Sequence, residues 1–281
     1  MSTRPRSIRK VAVATALVAA VAACGSTGTT APPPPSSPEA PSPAATATSV
    51  AASSAPPASS APPSFPLPQG SESITLDPAQ FVGVALDNPY WPMAPGNRWV
   101  YRETDADGTE QQVEVTVTDK TKEIDGIRAT EVHDLVTENG EPVEDTLDWY
   151  AQDTLGNLWY LGEDTKEYEN GKVVSTEGSW QAGVDGAQAG IILPGHPRVG
   201  MAYRQEYYAG QAEDAAEILA LDKHVEVPFG TFDNVLETSD FTPLEPDVEE
   251  HKFYARGVGP VEVLQTSGGS SHEQLLTFEP G

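Results

Sequence analysis

The sequence predicts a mainly β protein, in which an antiparallel meander forms a curved sheet or incomplete barrel with one long loop and at most short helices. The first observation is an alternation with a period of two: Val113, Val115 and Val117 share one strand face, and polar residues occupy the other. The second is a series of Asp-Gly and Asn-Gly pairs, which supply the positive φ angles of tight hairpin turns. These pairs begin at Asp107, Asp125, Asn139 and Asn170. Their spacing is typical of an all-β fold.

The same patterns place the strands along the chain. Residues 99–101 form the first strong strand, and residues 112–118 alternate as described above. A turn at residues 154–157 separates strands at 147–150 and 158–161, which gives a meander of about six or seven strands before the long loop. Further strands are predicted at residues 203–208, 223–227, 234–238, 251–255, 259–264 and 274–278.

Two segments depart from this pattern. Residues 175–197 are rich in glycine and predict a long loop across one side of the sheet, with Ile191, Ile192 and Leu193 plugging the core. Residues 212–221 contain Ala, Glu and Leu, whose propensity favours a short helix or turn, whereas the neighbouring strands favour an edge strand or a bulged segment.

The N-terminus has the pattern of a secretory signal. Basic residues precede an apolar run at residues 11–23, which is shorter than the about 20 residues that a membrane-spanning helix needs. Val21, Ala22 and Ala23 precede Cys24, and Gly25 and Ser26 follow it. This stretch resembles the lipobox of bacterial lipoproteins. The resemblance implies cleavage before Cys24 and lipidation of that residue with diacylglyceryl and further acyl chains such as palmitate; the alternative is a plain secreted protein.

Three segments follow from these patterns. We predict a lipoprotein signal peptide at residues 1–23, lipidated Cys24 with a disordered Pro/Ala/Ser/Thr linker at 24–70, and a β-rich extracytoplasmic domain at 71–281. Two acyl chains give stable anchoring, so the predicted location is the outer face of the bacterial cell membrane. Cys24 is the only cysteine, which excludes a disulfide and a cysteine nucleophile from the domain.

The charge of the chain excludes one class of partner. It has 16 Lys and Arg residues against 42 Asp and Glu residues, a net charge of −26. Recognition of nucleic acid requires a basic surface, so no nucleic-acid partner is predicted. Contact with the membrane is expected to come from the anchor and not from surface charge.

A second resemblance concerns the C-terminal hairpins. Residues 227–232 read Val-Pro-Phe-Gly-Thr-Phe, and residues 254–261 read Tyr-Ala-Arg-Gly-Val-Gly-Pro-Val. These stretches resemble a V-P-x-G-x-F hairpin and a Y-A-x-G-V-G-x-V hairpin that recur in uncharacterised bacterial exported β-domains. The resemblance implies a curved antiparallel sheet, similar to lipoprotein-carrier half-barrels, and implies no activity.

Aromatic residues form the first candidate site. Adjacent residues of a strand point to opposite faces, so one member of Trp149 and Tyr150, and one of Trp159 and Tyr160, lies away from the main core. On a curved sheet these side chains would line a ligand groove. The alternative is ordinary packing beneath the long loop.

Acidic residues form the second candidate site, a divalent-cation site at Glu245, Asp247, Glu249 and His251. On a strand Glu249 and His251 share one face, whereas Glu250 takes the other. The alternative is a solvated acidic turn that leads into the strand.

Sequence patterns for catalysis and cofactors are missing. There is no Gly-x-Ser-x-Gly elbow, no phosphate-binding loop and no His pair at metal-binding spacing, so no catalytic residue and no cofactor is predicted. The sequence therefore favours a tethered, non-catalytic domain that binds an envelope component or an apolar ligand. The alternatives are an acidic cation-binding module and, with least support, an extracytoplasmic hydrolase.

Overall fold

The computed structural model describes residues 67–83 and 85–281, so the predicted signal peptide, Cys24 and most of the predicted linker lie outside the described residues. A short 3₁₀ helix, Pro78–Gln80, precedes the sheet. None of the helices in the described ranges is long and apolar enough to cross a membrane. The strands are β1 Arg98–Thr104, β2 Glu110–Ile124, β3 Ile127–Glu138, β4 Glu141–Gln152, β5 Leu158–Glu169, β6 Lys172–Ser175, β7 Trp180–Gln181, β8 Gln188–Leu193, β9 Ala202–Arg204, β10 Glu206–Tyr207, β11 Ala215–Val227, β12 Gly230–Phe241, β13 Glu249–Ala255, β14 Gly259–Ser267 and β15 His272–Glu279.

These strands form one antiparallel sheet of 15 strands, which confirms the predicted fold class. The order is β10-β8-β5-β4-β3-β2-β1-β15-β14-β13-β12-β11-β9, and β6 and β7 pair with β5 outside this path. The two ends of this order, β10 and β9, are consecutive in the chain and are separated only by Gln205. The sheet therefore curves until its edges meet at residues 202–207, without closing into a barrel by strand pairing. We call this junction the seam.

The hairpin turns explain why a meander forms. Asp125, Asn139 and Asn170 have φ angles of 49°, 53° and 51°, and each is followed by a glycine that also has a positive φ. Consecutive positive φ angles are those of a type I′ turn, whose twist matches the twist of paired strands. The predicted turns at these pairs are confirmed. The turn after Asp105 is different, because the Asp105 carboxylate accepts hydrogen bonds from the backbone N–H groups of Asp107 and Thr109.

The inner face of the sheet carries the hydrophobic core. Val113 and Leu275 pair with Tyr101 from opposite sides, and Val115 pairs with Trp99. All of these side chains are buried. Because the side-chain direction alternates along a strand, this register places alternate residues of each strand inside the curve.

The segment at 212–221 is not a helix. Strand β11 begins at Ala215, pairs with β9 and β12 on its two sides, and buries Ala216 and Ile218. The short helix or turn that propensity predicts for this segment is therefore wrong. Intrinsic propensity is a weak preference, and here the strands on both sides supply the backbone hydrogen bonds of the segment.

The long loop at 175–197 contains strands of its own. Strand β7 pairs with β5, and strand β8 pairs with both β5 and β10. Ile191, Ile192 and Leu193 are buried, as predicted, but they lie in a strand of the sheet and not in a loop that plugs it.

Candidate functional site

A group of carboxylate side chains lies on or beside the inner face, and we call it the acidic cluster. Glu103 follows Tyr101 by two residues on β1 and therefore points to the same side of the sheet. Register pairs Glu103 with Glu273, and Asp240 with Glu250. All members except the half-buried Asp214 are buried. The cluster consists of Glu103, Asp134, Glu144, Asp148, Glu163, Glu206, Asp214, Asp240, Glu250 and Glu273.

The other half of the inner face is aromatic. Tyr150 and Tyr160 stack with ring centroids 4.9 Å apart, and Trp91 lies 5.7 Å from Tyr150 and 6.3 Å from Tyr254. The Tyr160 hydroxyl donates to Asp148 Oδ1 at 2.6 Å, at the boundary between the two halves. The interior is thus divided into an aromatic part and an acidic part.

Burial is the main cause of the raised pKa values in the acidic cluster. It raises the pKa of Glu103 and of Asp214 to about 8, and the pKa of Asp148 and of Glu250 to about 7. Neighbouring carboxylates add to the effect, since Glu250 raises the pKa of Glu103. Protonated and ionised forms of these groups therefore exchange near neutral pH.

Two further members are shifted more strongly. Burial, followed by the charges of Asp214 and Glu163, raises the pKa of Glu206 well above its usual value. Burial, followed by the charges of Glu103 and other carboxylates, does the same for the pKa of Glu273. Both carboxyl groups therefore hold a proton more strongly than an exposed glutamate does.

Lys252 is the basic residue within this group. Its ammonium Nζ lies 3.1 Å from Asp240 Oδ2, and both side chains are buried. Burial lowers the pKa of Lys252, but the charges of Asp240 and Glu250 together outweigh that effect and hold the pKa above its usual value. An ammonium group surrounded by carboxylates is therefore stable in this interior.

Several carboxylate oxygens of the cluster are buried without a hydrogen-bond partner. They are Glu103 Oε2, Glu206 Oε1, Asp214 Oδ1, Glu250 Oε1 and both oxygens of Glu273. A buried polar atom without a partner loses its hydration without compensation, at a cost of about 1–3 kcal/mol. Such atoms are expected where a ligand or a shared proton supplies the missing contact.

A cleft of about 830 Å³ lies at the seam. Its lining comes from residues 69–71, from β9 and β10, from the start of β11 and from the connection between β12 and β13. Glu206 and Asp214 belong both to the acidic cluster and to the lining of this seam cleft. The volume is within the range of about 300–1,000 Å³ typical of small-molecule sites.

Arg204 fixes one wall of the seam cleft. Its Nη1 donates to the carbonyl oxygens of Gly70 and Glu72, both at 2.7 Å, and its Nη2 donates to the Ala189 carbonyl at 2.8 Å. The Gln69 side chain donates to the Ala202 carbonyl at 2.6 Å. Residues before the sheet are thereby attached to the seam.

We call Glu206 and Asp214 the floor of the cleft, and a backbone hydrogen bond holds them side by side. The N–H of Gln205 donates to the Asp214 carbonyl at 2.7 Å, which places Glu206 beside Asp214. The indole of Trp180 donates to Glu206 Oε2 at 2.6 Å and leaves Oε1 without a partner. Glu206 and Asp214 therefore each have one buried carboxylate oxygen without a hydrogen bond.

A second cleft, of about 500 Å³, is lined in part by His196, Arg198 and Arg256. The Arg256 guanidinium lies 4.3 Å from the ring centroid of Tyr90, as in a cation–π contact. Asp87 also lines this cleft, and its Oδ1 accepts from Gln152. The clefts thus differ in charge, since arginine side chains line this one and carboxylates line the seam cleft.

The predicted aromatic groove residues are all buried. Tyr150 and Tyr160 belong to the inner aromatic half, whereas Trp149 packs under Lys122, whose Nζ lies 3.4 Å from the ring centroid. Trp159 donates to Asp153 Oδ2 at 2.9 Å. Neither of the two clefts is lined by any of these four side chains.

The predicted cation site is only partly assembled. Glu249 and His251 lie together, with 3.4 Å between Glu249 Oε1 and His251 Nε2, and His251 Nδ1 lies 3.0 Å from Glu237 Oε1. Both ring nitrogens of His251 therefore face carboxylates. Within residues 67–83 and 85–281, no three His, Cys, Asp or Glu side chains are placed to hold a metal ion, and this includes Glu245 and Asp247.

The acidic cluster was missed from the sequence. Its clearest signal is Glu250, which was placed on the strand face opposite Glu249 and His251 and is indeed buried. The run Glu144, Thr146, Asp148 occupies alternate positions on β4 in the same way. A polar alternation normally indicates the solvent face, so the sequence pattern does not identify these residues as interior groups.

Comparisons with known proteins add only distant structural neighbours. No protein-family description matches the chain, and no curated protein matches it significantly. A candidate exported protein with a YmcC-like fold from Bacteroides fragilis aligns over 68% of this chain and 99% of its own, with 14% identity and a TM-score of 0.40. A candidate lipoprotein from Parabacteroides distasonis covers the same shares, with 13% identity and a TM-score of 0.39.

A β-barrel-like domain of unknown function from Brucella abortus is also similar. It aligns over 66% of this chain and 97% of its own, with 13% identity and a TM-score of 0.33.

Proposed function

We propose that this chain is an exported lipoprotein, tethered by Cys24 to the outer face of the cell membrane, whose β-domain is a non-catalytic binding module with the seam cleft as its site. The observation that carries the proposal is Glu206. This side chain is buried, lines a cleft of about 830 Å³ and retains a carboxylate oxygen without a partner. A polar group in that state is expected where a ligand completes the hydrogen bonding.

The ligand is polar, at least in the part that reaches the floor of the cleft. An apolar group placed against Glu206 and Asp214 would leave both carboxyl groups desolvated and without compensation. The proposed site differs from the aromatic groove expected for an apolar ligand, because the predicted groove residues are buried and do not line this cleft. An envelope component with polar groups remains compatible with the cleft.

The tether rests on the N-terminal sequence. The basic residues, the short apolar run and Val21-Ala22-Ala23-Cys24 together have the pattern of a lipoprotein signal. The Pro/Ala/Ser/Thr linker that follows is a spacer of semi-rigid composition, which would hold the domain away from the lipid surface.

The test is native mass spectrometry of the full chain after release from the membranes in which it is produced. We expect a bound species on the wild-type protein and its loss from Ala202→Trp, which fills the cleft from an exposed lining position. The matched control is Val199→Trp, which is 63% exposed and outside the lining. A wild-type protein without any bound species, or an equal occupancy in both variants, would contradict the proposed site.

A further inference from the structure

The seam cleft is lined by more acidic than basic residues. Glu206 and Asp214 lie at its floor, and Glu213 and Glu249 contribute at its rim. Arg204 is the basic residue of the lining, but its guanidinium donates to the backbone carbonyls of residues 70, 72 and 189 and not to these carboxylates. The electrostatic character of the cleft therefore favours a cation.

The arrangement of these carboxylates suits an organic cation better than a metal ion. Coordination of a metal ion requires several convergent ligands, and no suitable group of three or more His, Cys, Asp or Glu side chains exists in the described parts of the chain. Separate carboxylates can instead accept hydrogen bonds from one or more N–H donors. At the floor, Glu206 Oε1 and Asp214 Oδ1 are buried and have no partner, so a ligand reaches them when these two side chains shift toward the cleft.

Lys252 shows which kind of cation this environment accommodates. Its primary ammonium is buried against Asp240, and Glu250 and Asp214 also act on it. Asp214 also forms a hydrogen bond with the side chain of Thr242, which lowers the pKa of the Asp214 carboxyl group. Glu206 has no comparable basic neighbour, because the other charges that act on it are those of Asp214, Glu163 and Asp148. A second ammonium group beside Glu206 would supply the missing charge.

The walls of the cleft suit an aliphatic chain. Tyr203, Phe241, Pro243, Pro246 and Val248 contribute apolar surface between the floor and the rim. Phe241 is 44% exposed, as expected for a wall that a ligand would cover. Methylene groups packed on such a surface gain about 0.8 kcal/mol each when they are fully buried.

We propose that the seam cleft binds an aliphatic polyamine, with one ammonium group held by Glu206 and Asp214 at the floor and another held by Glu213 and Glu249 at the rim. The inference rests on the proposed binding function of the cleft and names the chemical class of its ligand. At the rim, Glu249 accepts from Ser239 Oγ at 2.6 Å, and Glu213 accepts from the Gly210 N–H at 2.7 Å. Each of these carboxylates has a further acceptor position.

Binding is accompanied by a release of protons. Burial raises the pKa of Asp214 to about 8, so this group is largely protonated at neutral pH before the ligand arrives, and burial also raises the pKa of Glu206. Asp240, Glu250 and Lys252 act on Asp214, and Asp148 and Glu163 act on Glu206. An adjacent ammonium favours the ionised carboxylates, and the displaced protons enter the buffer.

Isothermal titration calorimetry of the full chain with spermidine tests the proposal, at pH 7 and about 150 mM salt, where the attraction of exposed charges is screened. We expect a single site, a measured enthalpy that depends on the ionisation enthalpy of the buffer, and affinities at least tenfold weaker in Glu206→Gln and in Asp214→Asn. The matched control is Glu226→Gln, an exposed carboxylate farther along β11 and outside the lining of the cleft, which should leave the affinity unchanged. Octane-1,8-diol, which has a similar chain and no charge, should not bind.

The outcomes separate this inference from the proposed function. Circular dichroism of each variant checks that the fold is retained. Spermidine binding that all variants share, or tighter binding of a lysine-containing tripeptide, would overturn the polyamine assignment. If spermidine does not bind but the natively purified protein carries another species in the cleft, the ligand class is wrong and the binding function stands. If no species is carried, both are wrong.

Discussion

Glu103 and Glu273 are direct neighbours across β1 and β15, and both are buried on the inner face with carboxylate oxygens that have no hydrogen-bond partner. The charge of Glu103 raises the pKa of Glu273, and the charge of Glu250 raises the pKa of both, in addition to the larger effect of burial. Two adjacent buried carboxylates are costly when both are ionised. Protonation of such groups therefore contributes to the stability of the fold.

The stability of the domain should fall as the pH rises from about 5 to about 8. The folded pKa is about 8 for Glu103 and about 7 for Asp148 and Glu250, above the ordinary values of about 4 for unfolded carboxyl groups. The folded state therefore binds more protons than the unfolded state in this range, and the stability is lost as the pH passes the folded pKa values. Urea unfolding at each pH measures this trend. A midpoint that rises steadily from pH 5 to pH 8 would refute it.

Glu273→Gln should stabilise the domain at pH 8 and change it little at pH 5. The substitution replaces a buried carboxyl group by an amide that can donate to Glu103, whose carboxyl group has a pKa of about 8 and is therefore partly ionised at pH 8 and protonated at pH 5. We expect an increase in unfolding free energy of about 1–3 kcal/mol at pH 8. Glu110→Gln, at an exposed position of β2, is the control and should be neutral at both pH values. Equal effects of the two variants would argue against a contact between position 273 and the Glu103 carboxylate.

The stacked tyrosines Tyr150 and Tyr160 should respond differently to loss of the hydroxyl. The Tyr150 hydroxyl is buried without a partner, so Tyr150→Phe should be neutral or stabilising. The Tyr160 hydroxyl donates to Asp148, so Tyr160→Phe should destabilise by about 1–3 kcal/mol. Thermal unfolding of the two variants at pH 7.5 makes the comparison. The same loss in both would show that the Tyr150 hydroxyl has a partner.

Gly190→Ala should destabilise the seam. A Cβ atom at this position would lie 2.2 Å from the backbone carbonyl of Gln205, where β8 approaches the seam. Contacts of this kind force a backbone shift, for which we expect a cost of at least about 2 kcal/mol. Gly230→Ala is the control, because its nearest neighbour, a Phe232 ring atom, would lie 3.9 Å away. Chemical denaturation measures both, and a Gly190 variant as stable as the control would contradict the close approach at the seam.

Cys24→Ala should prevent lipidation. The lipobox interpretation requires the thiol of Cys24 for acyl attachment, and two acyl chains are needed for stable anchoring. Labelling of cells with a palmitate analogue, followed by membrane fractionation, should show loss of both the label and the membrane association. If Cys24→Ala stays in the membrane fraction although it carries no label, the protein is attached in another way and the lipobox interpretation is contradicted.

Most of the fold could be predicted because it depends on local patterns. The valines of β2 and the Asn-Gly and Asp-Gly turns act within a few residues, and their geometry is the same in any antiparallel hairpin. Strand β11 could not be predicted in this way, since its Ala and Leu residues favour helix and only its pairing with β9 and β12 determines its conformation.

The acidic cluster could not be predicted from alternation alone. Asp148 and Glu250 occupy the positions that face inward, but the sequence does not show which face of a polar strand is covered by the opposite side of a curved sheet. The seam cleft depends on the meeting of β9 and β10 at Gln205, a long-range consequence of the curvature. The burial of the predicted aromatic pairs also depends on that curvature, so the sequence alone could not distinguish a groove from ordinary packing.

The central claim is that the seam cleft is a ligand site with Glu206 and Asp214 at its floor. A crystal structure of the protein purified from its own membranes tests this claim most directly. We predict density for an occupant with donor atoms within hydrogen-bond distance of Glu206 Oε1 and Asp214 Oδ1. A cleft that holds only water, with the two carboxyl groups hydrogen-bonded to each other, would contradict the account.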